Sequence, residues 1–294
     1  MNKFTIKDLE NLSGIKAHTI RIWEQRYSFL KPQRTATNIR YYSNLELKML
    51  LNISLLNKYG YKISHIDRMS NEELREKTLT LTSAEAQQER LINELIQHMI
   101  DVELEGFEKI LDQHVQAKGI EKTITYIIFP FLERIGILWL TDHINPAQEH
   151  LITNIIRQKL IVGIENAITP LSLKAKMLLF LPENEHHEIG LLFLHYLLKS
   201  RGVKVIYLGA SVPLKDLDYL VELKKPDYIY THLTTVIKEF NFDKFINNLK
   251  QRFPQQQIII SGLMAQTFQK KSVPSNFRFL KSFTEVSEFL GNLS

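Results

Sequence analysis

The sequence predicts a multidomain protein: a basic all-α head, a four-helix bundle, and an α/β domain built on a parallel sheet. Three observations predict this fold class. Positive charge is concentrated in the first 70 residues, apolar residues recur with helical spacing over 84–168, and short apolar runs alternate with helical segments from residue 174 onward. A chain of 294 residues with 44% hydrophobic residues is long enough to bury two or three separate cores.

The charge distribution indicates a nucleic-acid-binding head. Residues 1–70 carry twelve Lys and Arg against five Asp and Glu, a net +7, whereas the remainder carries 25 against 27. Such an asymmetry is typical of a basic DNA-binding head on a near-neutral body. The chain has no cysteine, no signal peptide at its first residues and no apolar run long enough to span a bilayer, so we expect a cytoplasmic protein without a membrane partner.

Two short helices with a Ser-Gly break predict a helix-turn-helix at the start of the chain. Thr5 and Asp8 have the spacing of a capping box, and Ser13-Gly14 ends the first helix. The second helix covers residues 16–27, with Ile20 and Trp23 on its buried face. In a helix-turn-helix the second helix enters the major groove, although the same pattern also suits an αα-hairpin with a solvated basic face.

A basic loop after these helices favours a DNA-binding helix-turn-helix over an ordinary αα-hairpin. Residues 31–43 end in Arg-Tyr-Tyr-Ser, and residues 19–27 read Thr-Ile-Arg-Ile-Trp-Glu-Gln-Arg-Tyr. Both segments resemble the winged helix-turn-helix of MerR-type regulators, and the resemblance runs from Phe4 to about Met69. One departure is Thr37-Asn38 at the tip of the wing, where the family commonly has glycine; Asn tolerates the left-handed backbone that such a turn needs. The resemblance implies binding of double-stranded operator DNA through Lys16, His18, Thr19, Arg21, Tyr27, Arg40 and Tyr41.

The middle of the chain is predicted to be helical. Residues 1–70 form the head, and the polar stretch 71–83, which lacks strong periodicity, is interpreted as a linker. Four amphipathic segments over 84–170, separated by short breaks, predict the bundle. It contains no long heptad helix of the kind that joins MerR dimers.

Residues 174–294 are predicted to form a flavodoxin-like (Rossmann-type) domain. Strands are expected at 176–181, 203–208, 227–231, 257–261 and 277–281, with sheet order 2-1-3-4-5. The switch point of this order lies between the first and third strands, where the loops 182–190 and 231–235 meet. Open parallel sheets bind ligands at this edge.

The first of these loops contains a carboxylate, an imidazole and a glycine at close spacing. Glu185 lies two residues before His187, and Gly190 three residues after it. A carboxylate beside an imidazole fixes its tautomer and raises its basicity toward a metal, and a glycine allows a bulky group near the backbone. A polar strand-to-helix loop with an incidental histidine pair is the alternative, and His186 is the alternative ligand.

This acidic-x-His-x-x-Gly loop resembles the cobalamin-binding domain of methionine synthase and its relatives. The resemblance implies that His187 is the lower ligand to cobalt and that Glu185, where the family usually has aspartate, supports it. It further implies that Thr231, Leu233 and Thr234, with Ser261-Gly262, receive the displaced dimethylbenzimidazole tail. Ser261 stands where the family has a glycine that lets the tail approach.

A second group of residues lies in the predicted bundle. Trp139 ends its third helix, and nine residues separate it from Glu149 and His150 in the first turn of the fourth. Each has an ordinary explanation alone, as a core tryptophan and a first-turn acid. Together they resemble the signature of light-sensing, adenosylcobalamin-binding MerR-type repressors of the CarH/LitR type, where these residues cover the adenosyl group. Leu140 replaces a histidine that follows the tryptophan in well-described members.

The resemblance implies a transcriptional repressor that binds adenosylcobalamin, responds to light and works as a homo-oligomer, and that is not an enzyme. Two alternatives stay open: a regulator of this architecture that acts without cobalamin, and a cobalamin-dependent methyltransferase subunit. The absence of a catalytic barrel and the presence of a basic winged head speak against the latter.

Overall fold

The computed structural model describes residues 3–139, 145–169, 172–234, 240–268 and 274–293. The chain divides into two compact units, 1–156 and 157–294. Nowhere in the described ranges does a helix combine the length and the apolar character needed to cross a membrane.

The first unit opens with the predicted helix-turn-helix. Helix α1 (Ile6–Ser13) begins at Thr5, whose hydroxyl accepts from the Asp8 amide while the Asp8 carboxylate accepts from the Thr5 amide. This confirms the predicted capping box. The helix ends at Gly14, whose φ of 73° is left-handed, and α2 (Ala17–Arg26) follows.

A two-stranded antiparallel wing follows α2. Its strands are β1 (Gln33–Arg34) and β2 (Arg40–Tyr41). Asn38 takes a φ of 65° in the turn between them, so asparagine does serve as the left-handed residue at the wing tip.

Three helices complete the region predicted as head and linker: α3 (Asn44–Lys58), α4 (Ile63–Ile66) and α5 (Asn71–Leu79). The stretch 71–83, which we interpret as a linker, contains a helix that its weak periodicity did not predict, and this helix, α5, packs against α3. Ser70 and Glu73 form a capping box at its start, and Leu74 and Thr78, one turn apart, are its buried residues. Two inward positions in a nine-residue helix give a weak periodic signal, which explains why the helix was not predicted.

The helical segment after α5 begins with α6 (Ala84–Asp101) and α7 (Leu104–Lys118). A third helix runs through α8 (Ile120–Thr123), a π turn (Ile124–Ile128) and α9 (Phe129–Trp139), and α10 (Pro146–Glu165) ends the segment. Pro130 has no amide hydrogen to give the Tyr126 carbonyl, and the Gln88 side chain donates to that carbonyl instead, at 2.6 Å. The proline thus accounts for the π turn beside it.

The second unit is the predicted α/β domain. Its strands are β3 (Lys176–Pro182), β4 (Lys204–Val212), β5 (Tyr228–Leu233), β6 (Gln257–Gly262) and β7 (Phe277–Leu280). Its helices are α11 (Ile189–Ser200), α12 (Leu214–Lys224), α13 (Phe242–Arg252), α14 (Leu263–Thr267) and α15 (Phe283–Gly291).

The five strands are parallel and lie in the order β4-β3-β5-β6-β7, which confirms the predicted 2-1-3-4-5 order. One face of the sheet buries Leu178, Ile229 and Ile260 in a core shared with α12 and α13. Because β4 and β5 flank β3 on opposite sides, the carboxyl ends of β3 and β5 lie side by side at the switch point, where such sheets bind ligands.

Candidate functional site

The loop after β3 is fastened to the end of β4. Asn184 adopts a left-handed φ of 67°, and its amide donates to the Ser211 hydroxyl at 3.2 Å. The Ser211 amide donates to the Glu185 carbonyl at 3.1 Å. Ser211 thus makes two hydrogen bonds with the loop backbone, one as acceptor and one as donor. These bonds give the side chains of the loop a defined position.

Glu185 and His187 form the pair that the sequence predicted. The Glu185 side chain is fully buried, whereas that of His187 is 49% exposed. Glu185 Oε1 lies 2.7 Å from His187 Nδ1 and accepts from the His187 amide at 3.0 Å. A carboxylate in this position keeps the proton on Nδ1 and leaves Nε2 as the nitrogen with a lone pair for a metal. Among the described residues no three His, Asp or Glu side chains are arranged to hold a metal ion.

Glu188 anchors the other end of the loop, which the sequence analysis did not anticipate. One of its oxygens lies 2.6 Å from Arg157 Nε, and the other accepts from the Tyr207 hydroxyl at 2.9 Å. Burial and the neighbouring Glu188 carboxylate raise the pKa of Tyr207, which therefore stays a donor. The residue beside His187 is thus tied to both α10 and β4.

Gly190 lies against the ring of His232, a residue that the sequence analysis left without a role. A Cβ on Gly190 would lie 2.5 Å from two atoms of this ring. On its other side His232 Nδ1 is 2.7 Å from the Ser261 hydroxyl, which also accepts from the Tyr230 hydroxyl at 2.8 Å. The glycine does accommodate a bulky group, and in this structure that group is an imidazole of the chain itself.

The other predicted tail-binding residues lie at the ends of β5 and β6. Leu233 is buried in the core and Thr234 is exposed. The Thr231 hydroxyl is buried and has no hydrogen-bond partner among the described residues, which fits a polar ligand atom beside it. Gly262 has a φ of 89°, and a Cβ there would clash with the Leu233 carbonyl, so the approach of β5 explains this glycine without a ligand.

The residues predicted to cover the adenosyl group are partly described. Trp139 is the last residue of α9, while Leu140 lies outside the described residues. Glu149 is half-buried and His150 exposed in the first turn of α10. Gln148, which the sequence analysis missed, donates to the carbonyls of Met99 and Ile100 at 3.2 and 3.1 Å and fixes the start of α10 to the end of α6.

The predicted DNA-binding residues lie in α2, in the residues directly before and after it, and in the wing. Lys16, His18 and Arg21 are exposed along α2, and Thr19 is half-buried. The Lys16 ammonium lies 3.2 Å from Glu10 and holds the pKa of that carboxyl below its usual range.

In the wing, Arg40 Nε lies 3.1 Å from Glu24 of α2, which ties the wing to the helix. The Tyr41 hydroxyl donates to Gln33 at 2.5 Å across the wing. Tyr27 stacks on Phe29 with ring centroids 5.7 Å apart. These contacts order the wing beside α2, as binding to adjacent phosphates requires.

Comparison with known proteins agrees with this arrangement. Residues 4–73 match the MerR HTH family regulatory protein model, and residues 91–162 match a B12 binding domain. The HTH-type transcriptional repressor CarH of Myxococcus xanthus is 25% identical over 273 residues, which cover 90% of this chain and 91% of the relative. The HTH-type transcriptional repressor CarA of the same organism is 25% identical over 284 residues, covering 96% and 94%.

A monomethylamine corrinoid protein from Methanosarcina barkeri has a similar structure. It aligns with a TM-score of 0.52 and 10% identity over 69% of this chain and 99% of its own, which shows a shared fold. The chain therefore joins a MerR-type helix-turn-helix to a B12-binding domain and is homologous over most of its length to the bacterial transcriptional repressors CarH and CarA.

Proposed function

We propose that this protein is a transcriptional repressor that binds operator DNA through its winged head under the control of adenosylcobalamin. The observation that carries the proposal is the pairing of a buried Glu185 with an exposed His187 at the switch point of a corrinoid-type fold. The same chain carries a MerR-type head. An enzymatic role is disfavoured, because the relatives that match nearly the whole chain are repressors.

In this proposal His187 ligates cobalt from below through Nε2, and the Thr231 hydroxyl binds a polar atom of the corrinoid. Trp139, Glu149 and His150 contact the adenosyl group, which favours adenosylcobalamin over methylcobalamin. Cobalamin supplies the cobalt centre and its light-sensitive cobalt–carbon bond when bound.

The test is a spectral titration of the purified chain with adenosylcobalamin in the dark. We expect His187→Ala to lose tight binding or to leave a spectrum without a nitrogen ligand below cobalt. His186→Ala is the matched control, because it removes the adjacent exposed imidazole. Identical spectra for wild type and His187→Ala would refute the ligand assignment.

DNA binding is tested by mobility shift with operator DNA at several salt concentrations. We expect affinity to fall steeply with salt, because each neutralised phosphate releases counterions. Arg40→Ala should weaken binding at moderate salt. An unchanged shift would remove Arg40 from the DNA interface.

We further propose that the cofactor favours an assembled, DNA-binding homo-oligomer, since one head reads only a half-site. Light should release DNA, because it removes the contacts of the adenosyl group. Leu140 cannot ligate cobalt, so we expect no stable bis-histidine adduct through residue 140 after illumination. Sedimentation and mobility shift before and after illumination test this. DNA binding that survives complete photolysis would refute the light switch and leave the cobalamin response standing.

A further inference from the structure

The His232 ring lies between Gly190 and Ser261, and Ser261 stands where the cobalamin-binding family has a glycine. This ring lies directly on Gly190 at the start of α11 and is hydrogen-bonded to Ser261 at the end of β6. The Tyr230 hydroxyl donates to Ser261, and the Ser261 hydroxyl can in turn donate to His232 Nδ1, so the three side chains form one chain of hydrogen bonds. The ring is therefore a fixed part of this face.

The surroundings of His232 keep the ring neutral. Burial lowers its pKa to about 4, although the nearby Glu185 carboxylate opposes that shift. Ser261 and Tyr230 are themselves almost fully buried, at 2% and 1% exposure. A neutral imidazole held by a buried polar network fills volume that a ligand could otherwise use.

We propose that His232 occupies the space assigned to the nucleotide tail and makes this chain discriminate against corrinoids that carry this tail. The inference rests on the proposed function, because the resemblance assigns Thr231, Leu233, Thr234, Ser261 and Gly262 to that tail. His232 lies within this set in sequence and in space. A tail that enters here must first displace the ring from Gly190 and break its hydrogen bond to Ser261.

A corrinoid without the tail avoids this cost. Cobinamide keeps the corrin ring and the cobalt but lacks the nucleotide and its base, so His187 can still approach the metal from below. Among the described residues the buried hydroxyl of Thr231 has no partner, and it stays available to a polar atom of either corrinoid. We therefore expect His232 to weaken binding of adenosylcobalamin selectively.

The experiment titrates wild type and His232→Ala with adenosylcobalamin and, as the matched ligand control, adenosylcobinamide, in the dark by absorbance. We expect His232→Ala to tighten adenosylcobalamin binding about tenfold, since the cost of displacing one hydrogen-bonded ring is removed, and to change adenosylcobinamide binding by less than about twofold. A change that is equal for the two corrinoids, or absent for both, overturns the proposal.

Ser261→Ala provides a second variant that keeps the imidazole but removes its hydrogen-bond partner. Like His232→Ala, it should raise the affinity for adenosylcobalamin relative to that for adenosylcobinamide. If His232→Ala does not fold, this variant tests the proposal in its place. An unchanged ratio of the two affinities in Ser261→Ala then overturns the proposal. Failure of every variant to bind either corrinoid refutes the proposed cobalamin response itself, whereas tight but tail-indifferent binding refutes the role of His232 alone.

Discussion

Glu185 is expected to control cofactor affinity without touching the cofactor. Its carboxylate is fully buried, and one oxygen receives both the Nδ1 proton and the amide proton of His187. Glu185→Ala removes both bonds and frees the imidazole to rotate away from the corrin. Outer-shell partners of this kind change metal affinity by about 10- to 100-fold.

The energy of the lost contact gives the same magnitude. A hydrogen bond to a charged group contributes about 1.5–3 kcal/mol, and each tenfold change in affinity corresponds to about 1.4 kcal/mol. We therefore expect Glu185→Ala to weaken adenosylcobalamin binding by about 10- to 100-fold. Glu185→Gln should fall between wild type and Glu185→Ala, since its amide oxygen can still accept but carries no charge.

The assay is an absorbance titration in the dark, with Glu183→Gln as the matched control. Glu183 is an exposed carboxylate of the same loop, so its neutralisation tests for a general charge effect. Circular dichroism must show that the variants fold. If Glu185→Ala binds within twofold of wild type, the carboxylate does not support the ligand.

Three further predictions concern stability, each measured by denaturant unfolding. Gly262→Ala should destabilise the α/β domain by about 2 kcal/mol, because it adds a Cβ at positive φ against a backbone carbonyl, whereas Gly291→Ala, with open space around it, should be neutral or stabilising. Burial lowers the pKa of His232 to about 4, so on acidification the imidazole is protonated in the unfolded chain before it is protonated in the folded one. The free energy of unfolding should therefore fall by up to about 3 kcal/mol as the pH drops from about 6.5 to 4. If His232→Asn shows the same pH dependence, other groups cause it. Arg134→Ala should cost the first unit about 3 kcal/mol by leaving buried acceptors unpaired, and Glu133→Ala, an exposed neighbour, serves as its control.

The sheet and its ligand-binding edge could be predicted because their signals are local. Five apolar runs at regular spacing give the strands, and the known handedness of βαβ units limits their order. The Glu185–His187 pair follows in turn, since two residues of one short loop cannot lie far apart. Asn38 and the Thr5–Asp8 capping box were predicted on the same basis of backbone preference.

The network around His232 could not be predicted in this way. It joins β5, β6 and the start of α11, and its existence depends on the register that sets His232 opposite Ser261. Period-two alternation places Thr231 and His232 on opposite faces, but sequence alone does not tell which face closes on Gly190. Ser261, which stands where the family has a glycine, and His232 beside Thr231 are the signal that reasoning from pairs of residues could have used.

A buried polar network within the first unit joins the helix-turn-helix to α6 and α9. Arg134 of α9 donates to Asn93 of α6 at 2.8 Å and to the Leu12 carbonyl at the end of α1, and Asn93 donates to the Leu51 carbonyl of α3 at 3.2 Å. These bonds join the helix-turn-helix to the helices that follow it. Burial lowers the pKa of Arg134, and paired acceptors offset the cost of burying its charge.

The placement of this contact along its helix gives it a mechanical meaning. Arg134 lies between the π turn at 124–128 and Trp139 at the end of α9, which is about 8 Å farther along the axis. If cofactor binding moves α9 at Trp139, as the proposed function implies, we expect the Arg134 side chain to carry that movement to the Leu12 carbonyl. A head tethered by a flexible linker would receive no such movement, whereas a head that shares a buried polar network with α9 must either follow it or lose the network.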